Sequence, residues 1–149
     1  MKKVIAILVA ALAFAAIASA QPRALGIRGG WNGHFGGEVS YQHSLGNNFA
    51  EFDLGLYGNG FSLAGIYDFI LANAGIVNFY AGPGAMVQIV NHTDASHLHA
   101  AIVGQIGFEI ETGIPLNISV DWRPGFFLAG DDHPYFGWQG FALALRYRF

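Results

Sequence analysis

Hydrophobic and polar residues alternate with a period of two along much of the chain. The clearest case is the C-terminal segment, in which Phe141, Leu143, Leu145, Tyr147 and Phe149 share one parity, with alanines and arginines between them. Successive side chains of a β-strand point to opposite faces, so this period predicts a two-faced strand.

Similar segments follow one another along the chain and are separated by short turn sequences. Alternation occurs in 25–31, 38–42, 51–56, 61–68, 102–111 and 117–123. Glycine, asparagine, aspartate and proline favour turns, and they cluster in seven connections: Asn32–Gly33, Gly46–Asn48, Gly58–Gly60, Asn73–Gly75, Asn91–Ser96, Thr112–Pro115 and Ala129–Pro134. Seven connections predict eight strands.

The strand over 79–90 is the least regular, because Gly82, Pro83 and Gly84 interrupt it. Proline has no amide to donate to a β-ladder. We therefore expect a kink or a bulge at Pro83, where the strand register could shift.

The first twenty residues differ from the rest of the chain. Lys2 and Lys3 precede an apolar run over 4–17, and small residues end the segment at Ala20, just before Gln21. This order is typical of a secretory signal peptide. The sequence therefore predicts a signal peptide over residues 1–20, cleavage between Ala20 and Gln21, and one domain over 21–149; a retained membrane anchor is the alternative.

Composition decides which face of the strands meets which solvent. Residues 21–149 contain no lysine and set five arginines against ten carboxylates, a formal charge of −5. A soluble surface normally carries many lysines, whereas a membrane barrel places apolar residues outside and polar residues inside. Aromatic residues also mark the strand ends, as in interfacial girdles; one rim would hold Trp31, Phe126, Phe127, Phe136 and Trp138, and the other Tyr41, Phe69, Tyr147 and Phe149. The pattern predicts a transmembrane β-barrel rather than a secreted sandwich.

The ending Gly140–Phe149 resembles the C-terminal assembly signal of bacterial outer-membrane barrels, an alternating apolar strand that closes on phenylalanine. The whole pattern resembles the small OmpX-like, OmpA-transmembrane and opacity-protein barrels. This resemblance implies an all-β, eight-stranded antiparallel up-and-down barrel. It also implies location in the outer membrane, contact with outer-membrane lipid, and insertion by the barrel assembly machinery.

The polar face supplies the candidate functional residues. An eight-stranded barrel is just wide enough to be filled by side chains, so inward charges should meet across the lumen. We expect a polar network of Arg28, Glu38, Glu51, Asp53, Asp68, Glu109, Glu111, Asp121, Arg123, Arg146 and Arg148. With both termini in the periplasm, Arg28, Glu38, Asp121 and Arg123 would lie in the middle or outer half, and the other seven in the periplasmic half.

Two functions are open for this network. A lumen filled by ion pairs predicts a structural or surface-interaction protein, whereas the same residues lining water would form a narrow ion channel. The periplasmic half holds five carboxylates against two arginines, an excess that requires water, a protonated carboxyl or a bound cation. Because continuous channels usually need more strands, side-chain volume favours the filled lumen.

Other chemistry has weaker support. His92, Asp94, His97 and His99 lie close together in sequence, but their spacing matches no known metal-ligand signature. A lipid-modifying enzyme at the barrel rim would need a Ser/His pair, for which His43-Ser44 and Ser96-His97 are the candidates. Since adjacent strand residues face opposite ways, neither pair is convincing.

The remaining expectations follow from composition and from missing motifs. The chain has no cysteine, no phosphate-binding loop and no basic patch. We therefore expect no catalytic, cofactor-binding or metal-binding residues and no nucleic-acid partner. We also expect a monomer, and the sequence does not identify a surface ligand.

Overall fold

A computed structural model describes residues 23–31, 33–129 and 133–149. The predicted signal peptide and its cleavage site at Ala20 and Gln21 lie outside these residues. The described residues form ten β-segments: β1 (Arg23–Trp31), β2 (Phe35–Leu45), β3 (Asn48–Tyr57), β4 (Gly60–Ala74), β5 (Val77–Asn91), β6 (Ser96–Glu111), β7 (Leu116–Trp122), β8 (Gly125–Ala129), β9 (Tyr135–Gly137) and β10 (Phe141–Arg148).

The ten segments build a closed antiparallel barrel of eight strands. Each of β1 to β6 is one barrel strand. β7 and β8 are successive parts of the seventh strand, because both pair with β6, and β9 and β10 are parts of the eighth, because they pair with β8 and β7 respectively. Pairing of β10 with β1 closes the ring. The predicted fold class is confirmed.

The two ends of the barrel differ in which connections they carry. We call upper the end with the connections after β1, β3, β5 and β8, and lower the end with those after β2, β4 and β6 and with the outer ends of β1 and β10. Each connection falls where turn residues predicted it. Gly33, Gly46, Gly58 and Gly75 adopt a positive φ there, between 56° and 78°, which glycine tolerates best. No helix among 23–31, 33–129 and 133–149 has the length and hydropathy needed to cross a membrane.

The alternating faces point as the sequence predicts. On β10 the outward side chains of Phe141, Leu143, Leu145 and Tyr147 are between 43% and 58% exposed, and Phe149 beyond the strand is 57% exposed. The intervening Ala142, Ala144 and Arg146 are buried in the barrel. The outward face of this strand is therefore apolar along its whole length, and the buried charge lies inside the barrel.

The expected register shift at Pro83 is wrong. The pairing of β5 with β6 runs without a break through Pro83 and Gly104, and the shift in this region lies on β4, between Ile70 and Ala72. Pro83 faces outward, and the β4–β5 ladder keeps one register across a gap opposite Gly82 and Pro83. A Cβ atom on Gly82 would lie 1.8 Å from the carbonyl oxygen of Tyr67, so only glycine allows the backbones to approach so closely.

The interior near the upper end contains an apolar cluster, whereas the sequence predicted charged residues in the middle or outer half of the lumen. Six inward side chains of β4, β5, β6 and β8 form one buried cluster: Ala64, Ile66, Met86, Ala101, Val103 and Phe127. Phe127, which the sequence placed in an aromatic girdle, is only 6% exposed and points into the barrel. The sequence does not show which of Phe126 and Phe127 faces lipid, because the two adjacent residues are equally apolar.

Candidate functional site

The inward charged residues lie together in the middle of the barrel. Nine of the eleven residues predicted for the polar network are buried: Arg28, Glu38, Glu51, Asp53, Asp68, Glu109, Asp121, Arg123 and Arg146. The other two, Glu111 and Arg148, are half-buried at the lower end. We call these eleven residues the lumen network and describe them from the upper end downward.

Arg28 organises the charges nearest the upper end. Its guanidinium binds Glu38 on the neighbouring strand, with Nη1 and Oε2 2.5 Å apart, and reaches past β10 to Asp121 on β7. Tyr57 donates its hydroxyl to the second oxygen of Glu38 at 2.8 Å. Both oxygens of Glu38 are therefore bound, which a buried carboxylate requires to offset its lost hydration.

Arg123 lies at the centre of the network. Its Nη2 atom donates to Glu51 at 3.0 Å and forms an ion pair with Asp53, while its Nε atom donates to Gln105 at 2.7 Å. The backbone bends here, since residues 123–124 separate β7 from β8. Gly140, at φ 145°, lets the neighbouring strand follow the bend, and a Cβ atom on it would lie 2.3 Å from the carbonyl oxygen of Arg123.

Glu51 joins Arg123 to a second buried arginine. Its Oε2 atom accepts a hydrogen bond from Nη2 of Arg146 at 2.9 Å, so each carboxylate oxygen faces a different guanidinium. Arg146 also donates to the hydroxyls of Ser40 at 2.9 Å and Ser119 at 2.7 Å. Because these contacts use all three guanidinium nitrogens, Arg146 connects β2, β3, β7 and its own β10 across the lumen.

The lower part of the network is held by amides more than by arginines. Glu109 accepts hydrogen bonds from Asn117 at 2.7 Å and from Asn78 at 3.2 Å. Arg148 pairs with Glu111 at 2.9 Å, and both side chains are more than a third exposed. The depth predicted from sequence was therefore too simple: Glu51 and Asp53, assigned to the periplasmic half, bind Arg123 from the other half.

Carboxylates outnumber arginines over the whole buried part of the lumen network, whereas the sequence predicted such an excess for the periplasmic half. Three buried arginines face six buried carboxylates. Asp68 accepts from Gln105 at 3.2 Å through one oxygen, and its other oxygen, like Oδ1 of Asp53, is buried without a hydrogen-bond partner among the described residues. Within the same residues, no group of three or more His, Asp or Glu side chains is arranged to hold a metal ion.

Polar residues without charge complete the network, and sequence reasoning did not single them out. Ser40, Gln42, Gln105, Asn117 and Ser119 are all buried and all bind its charged groups. The available signal was parity, because each lies on the same face of its strand as a predicted network residue. Tyr80 and Phe49 also point inward, with ring centroids 5.2 Å apart, and pack beside it.

A cavity opens at each end of the barrel, and most of the lumen network lies between them. The upper cavity has a volume of about 780 Å³ and includes His99, Phe127 and Tyr57 in its lining. The lower cavity has a volume of about 540 Å³ and is lined in part by Glu109, Glu111 and Arg148. The other eight residues of the lumen network line neither cavity in the described structure.

The histidine and serine candidates of the sequence do not form one group. The rings of His92 and His97 lie 5.5 Å apart, whereas the ring of His99 packs against Phe127. Ser96 donates its hydroxyl to Asn91 at 2.8 Å. His43 binds Tyr41 at 3.1 Å, so in both predicted Ser/His pairs one member is hydrogen-bonded to a residue outside the pair.

Comparison with known proteins identifies a solved structure with a similar fold. No protein-family model and no curated protein matches the sequence. Among solved structures, the chain is similar to Neisserial surface protein A, with a TM-score of 0.59, 11% sequence identity, and coverage of 87% of this chain and 95% of that chain. At this identity the similarity concerns the fold, and at that level the predicted resemblance to small eight-stranded outer-membrane barrels is confirmed.

Proposed function

We propose that this chain is a monomeric bacterial outer-membrane barrel with a side-chain-filled lumen, which supports the envelope and interacts with the surroundings through its upper end. The observation that carries the proposal is the inverted distribution of polarity. Large apolar side chains such as Ile27, Leu143 and Ile106 are more than half exposed, while Glu51 and Arg146 are fully buried. In water this arrangement would expose a large apolar surface, and burying the charges would cost free energy. In a bilayer the apolar surface contacts lipid, and the charges inside the barrel are kept away from the lipid.

The proposal includes a route and an orientation. Residues 1–20 would direct export and be removed after Ala20, and the pattern Phe141, Leu143, Leu145, Tyr147 and Phe149 would be recognised by the barrel assembly machinery. With the strand ends of β1 and β10 in the periplasm, the upper end faces outside. Outer-membrane lipid would be the partner of the outward face.

The filled lumen is supported by the contacts of its arginines. Arg28, Arg123 and Arg146 each reach at least two strands other than their own, so their guanidinium groups occupy the cross-section between the two cavities. Ions would have to displace these buried ion pairs, which are costly to break. We therefore propose a barrier rather than the narrow channel that the sequence left open.

A lipid-modifying enzyme at the barrel rim has less support than the filled lumen or the narrow channel. Ser44 lies on the opposite face of β2 from His43, and the hydroxyl of Ser96 is hydrogen-bonded to Asn91. Catalysis would need a serine that reaches a histidine and an acidic group that orients it. We propose a binding or structural role and no catalytic one.

Conductance separates the filled lumen from the channel. Purified protein that migrates differently when heated and unheated on electrophoresis, as a closed barrel does, would be reconstituted into planar bilayers. We expect no unitary conductance steps, because the lumen network closes the cross-section; a general porin serves as the positive control. Reproducible, ion-selective steps from heat-modifiable protein would contradict the proposal, and identical migration before and after heating would contradict the barrel itself.

A further inference from the structure

The upper cavity, which we call the vestibule, has the dimensions of a ligand site. Its volume of about 780 Å³ lies within the range of small-molecule pockets. The hydrogen bond from Tyr57 to Glu38 joins its lining to the lumen network below. A ligand entering from the upper end would therefore meet a closed floor rather than a passage.

One wall of the vestibule places hydrogen-bonding groups beside stacked aromatic rings. Gln88 on β5 is the direct cross-strand partner of His99 on β6. The His99 ring is 6.5 Å from that of Phe127, which stacks on Tyr135 with centroids 4.7 Å apart and an interplanar angle of 6°. The wall thus runs from an amide through an imidazole to an aromatic pair.

The polar groups of the vestibule have unused hydrogen-bonding capacity. Nδ1 of His99 is buried without a partner among the described residues. Within the same part of the chain, the side-chain amides of Gln88 and Gln139, which both line the cavity, have no hydrogen bond to another residue. A buried ring nitrogen without a partner costs free energy, and a bound molecule with hydroxyl groups would remove that cost.

Charge restricts the ligand further. The described residues that line the vestibule include no Asp, Glu, Lys or Arg. Anions would find no guanidinium or ammonium there, and they would approach a chain with more carboxylates than cations. A hydrocarbon would leave the amides and the His99 nitrogen unpaired.

We propose that the vestibule binds a neutral saccharide. The C–H face of a sugar ring packs on an aromatic ring, and its hydroxyls both donate and accept hydrogen bonds, as the amides of Gln88 and Gln139 require. Tyr135 would provide the stacking surface, and Gln88 with His99 would bind the hydroxyls. The inference names the ligand class of the upper end, and so rests on the proposed function, in which that end faces outside.

The test uses the full mature chain in lipid nanodiscs, after heat-modifiable migration has confirmed a closed barrel in each sample. The protein is applied to an array of neutral, sialylated and sulfated oligosaccharides. Affinity for each neutral sugar that binds is then measured by calorimetry. A second arm places bacterial glycolipid with a neutral outer sugar in the nanodisc, which separates sugars presented by the membrane from free saccharides.

We expect binding to neutral oligosaccharides or to the neutral glycolipid and none to the charged sugars. Gln88→Leu and Tyr135→Ser should each weaken it at least about tenfold, the loss of one or two good contacts. The outward-facing neighbours supply matched controls, and Val87→Leu and Phe126→Ser should leave affinity unchanged. Binding of charged sugars only, of no sugar in either arm, or equal effects of control and vestibule variants would overturn the inference. Since barrel formation is verified first, such a failure would leave the proposed membrane barrel standing.

Discussion

Replacing Arg123 with methionine is expected to lower the free energy of unfolding by about 3–5 kcal/mol, the cost of breaking a buried ion pair by removing one partner. Arg123 binds Glu51, Asp53 and Gln105, so its loss strands Asp53 and leaves Glu51 with Arg146 as its only arginine in the middle of the barrel. Urea unfolding of the protein in lipid vesicles measures the change.

A matched variant separates burial from charge. Arg148→Met also removes an inward arginine, but Arg148 and its partner Glu111 are more than a third exposed. Exposed pairs contribute little, so this variant should lose no more than about 1 kcal/mol. Adding Asp53→Asn to Arg123→Met should restore part of the stability, because it neutralises a stranded carboxylate. Equal losses from Arg123→Met and Arg148→Met would show that the buried centre of the network is not what holds the barrel.

An arginine placed on the outward face is expected to destabilise the protein according to its depth. Leu143 is 58% exposed near the middle of its barrel strand, and Leu45 is 42% exposed at the lower turn. In a bilayer, Leu143→Arg should lose about 2–4 kcal/mol, whereas Leu45→Arg should lose about 0–1 kcal/mol. The same unfolding measurement compares the two.

The result also separates a membrane barrel from a soluble one. On a water-exposed surface both substitutions would fall within about 0.5 kcal/mol of the parent, since surface changes rarely do more. Small and equal effects at Leu143 and Leu45 would therefore contradict a lipid-facing band. A large effect at Leu45 alone would place the bilayer at the wrong height on the barrel.

The fold was predictable because its signals are local and repeated. A period of two in strands such as 141–148, with turn residues between strands, determines both the number of strands and the face each side chain occupies. The closure of β10 on β1 then follows from the need to pair every edge in lipid. The same period of two correctly predicted the burial of Arg146 and the exposure of Tyr147.

Partners across the lumen were not predictable, because they depend on strand tilt and stagger, which no single strand encodes. Parity placed Arg123 and Glu51 inside, but not at the same height. Phe127 and Pro83 were misassigned for a different reason. Phe127 follows another phenylalanine, so the sequence does not show which of the two faces inward. The prediction at Pro83 did not include the close backbone approach that Gly82 permits.

The vestibule could not be predicted from sequence at all. Gln88 and His99 are ordinary polar residues in their strands, and Tyr135 follows the connection from β8. Only the pairing of β5, β6, β8 and β9 brings an amide, an imidazole and two aromatic rings to one wall. Such sites depend on tertiary contacts between separate strands, and no local pattern records them.

The central claim is that the alternating apolar face contacts lipid. Since the sequence has no cysteine, single cysteines can be placed at positions 141, 143, 145 and 147 and spin-labelled without other changes. In vesicles, electron paramagnetic resonance should show collisions with oxygen exceeding those with a water-soluble nickel chelate, most strongly at 143 and 145. Frequent collisions with the nickel chelate at all four positions would show that this face lies in water and would contradict the account.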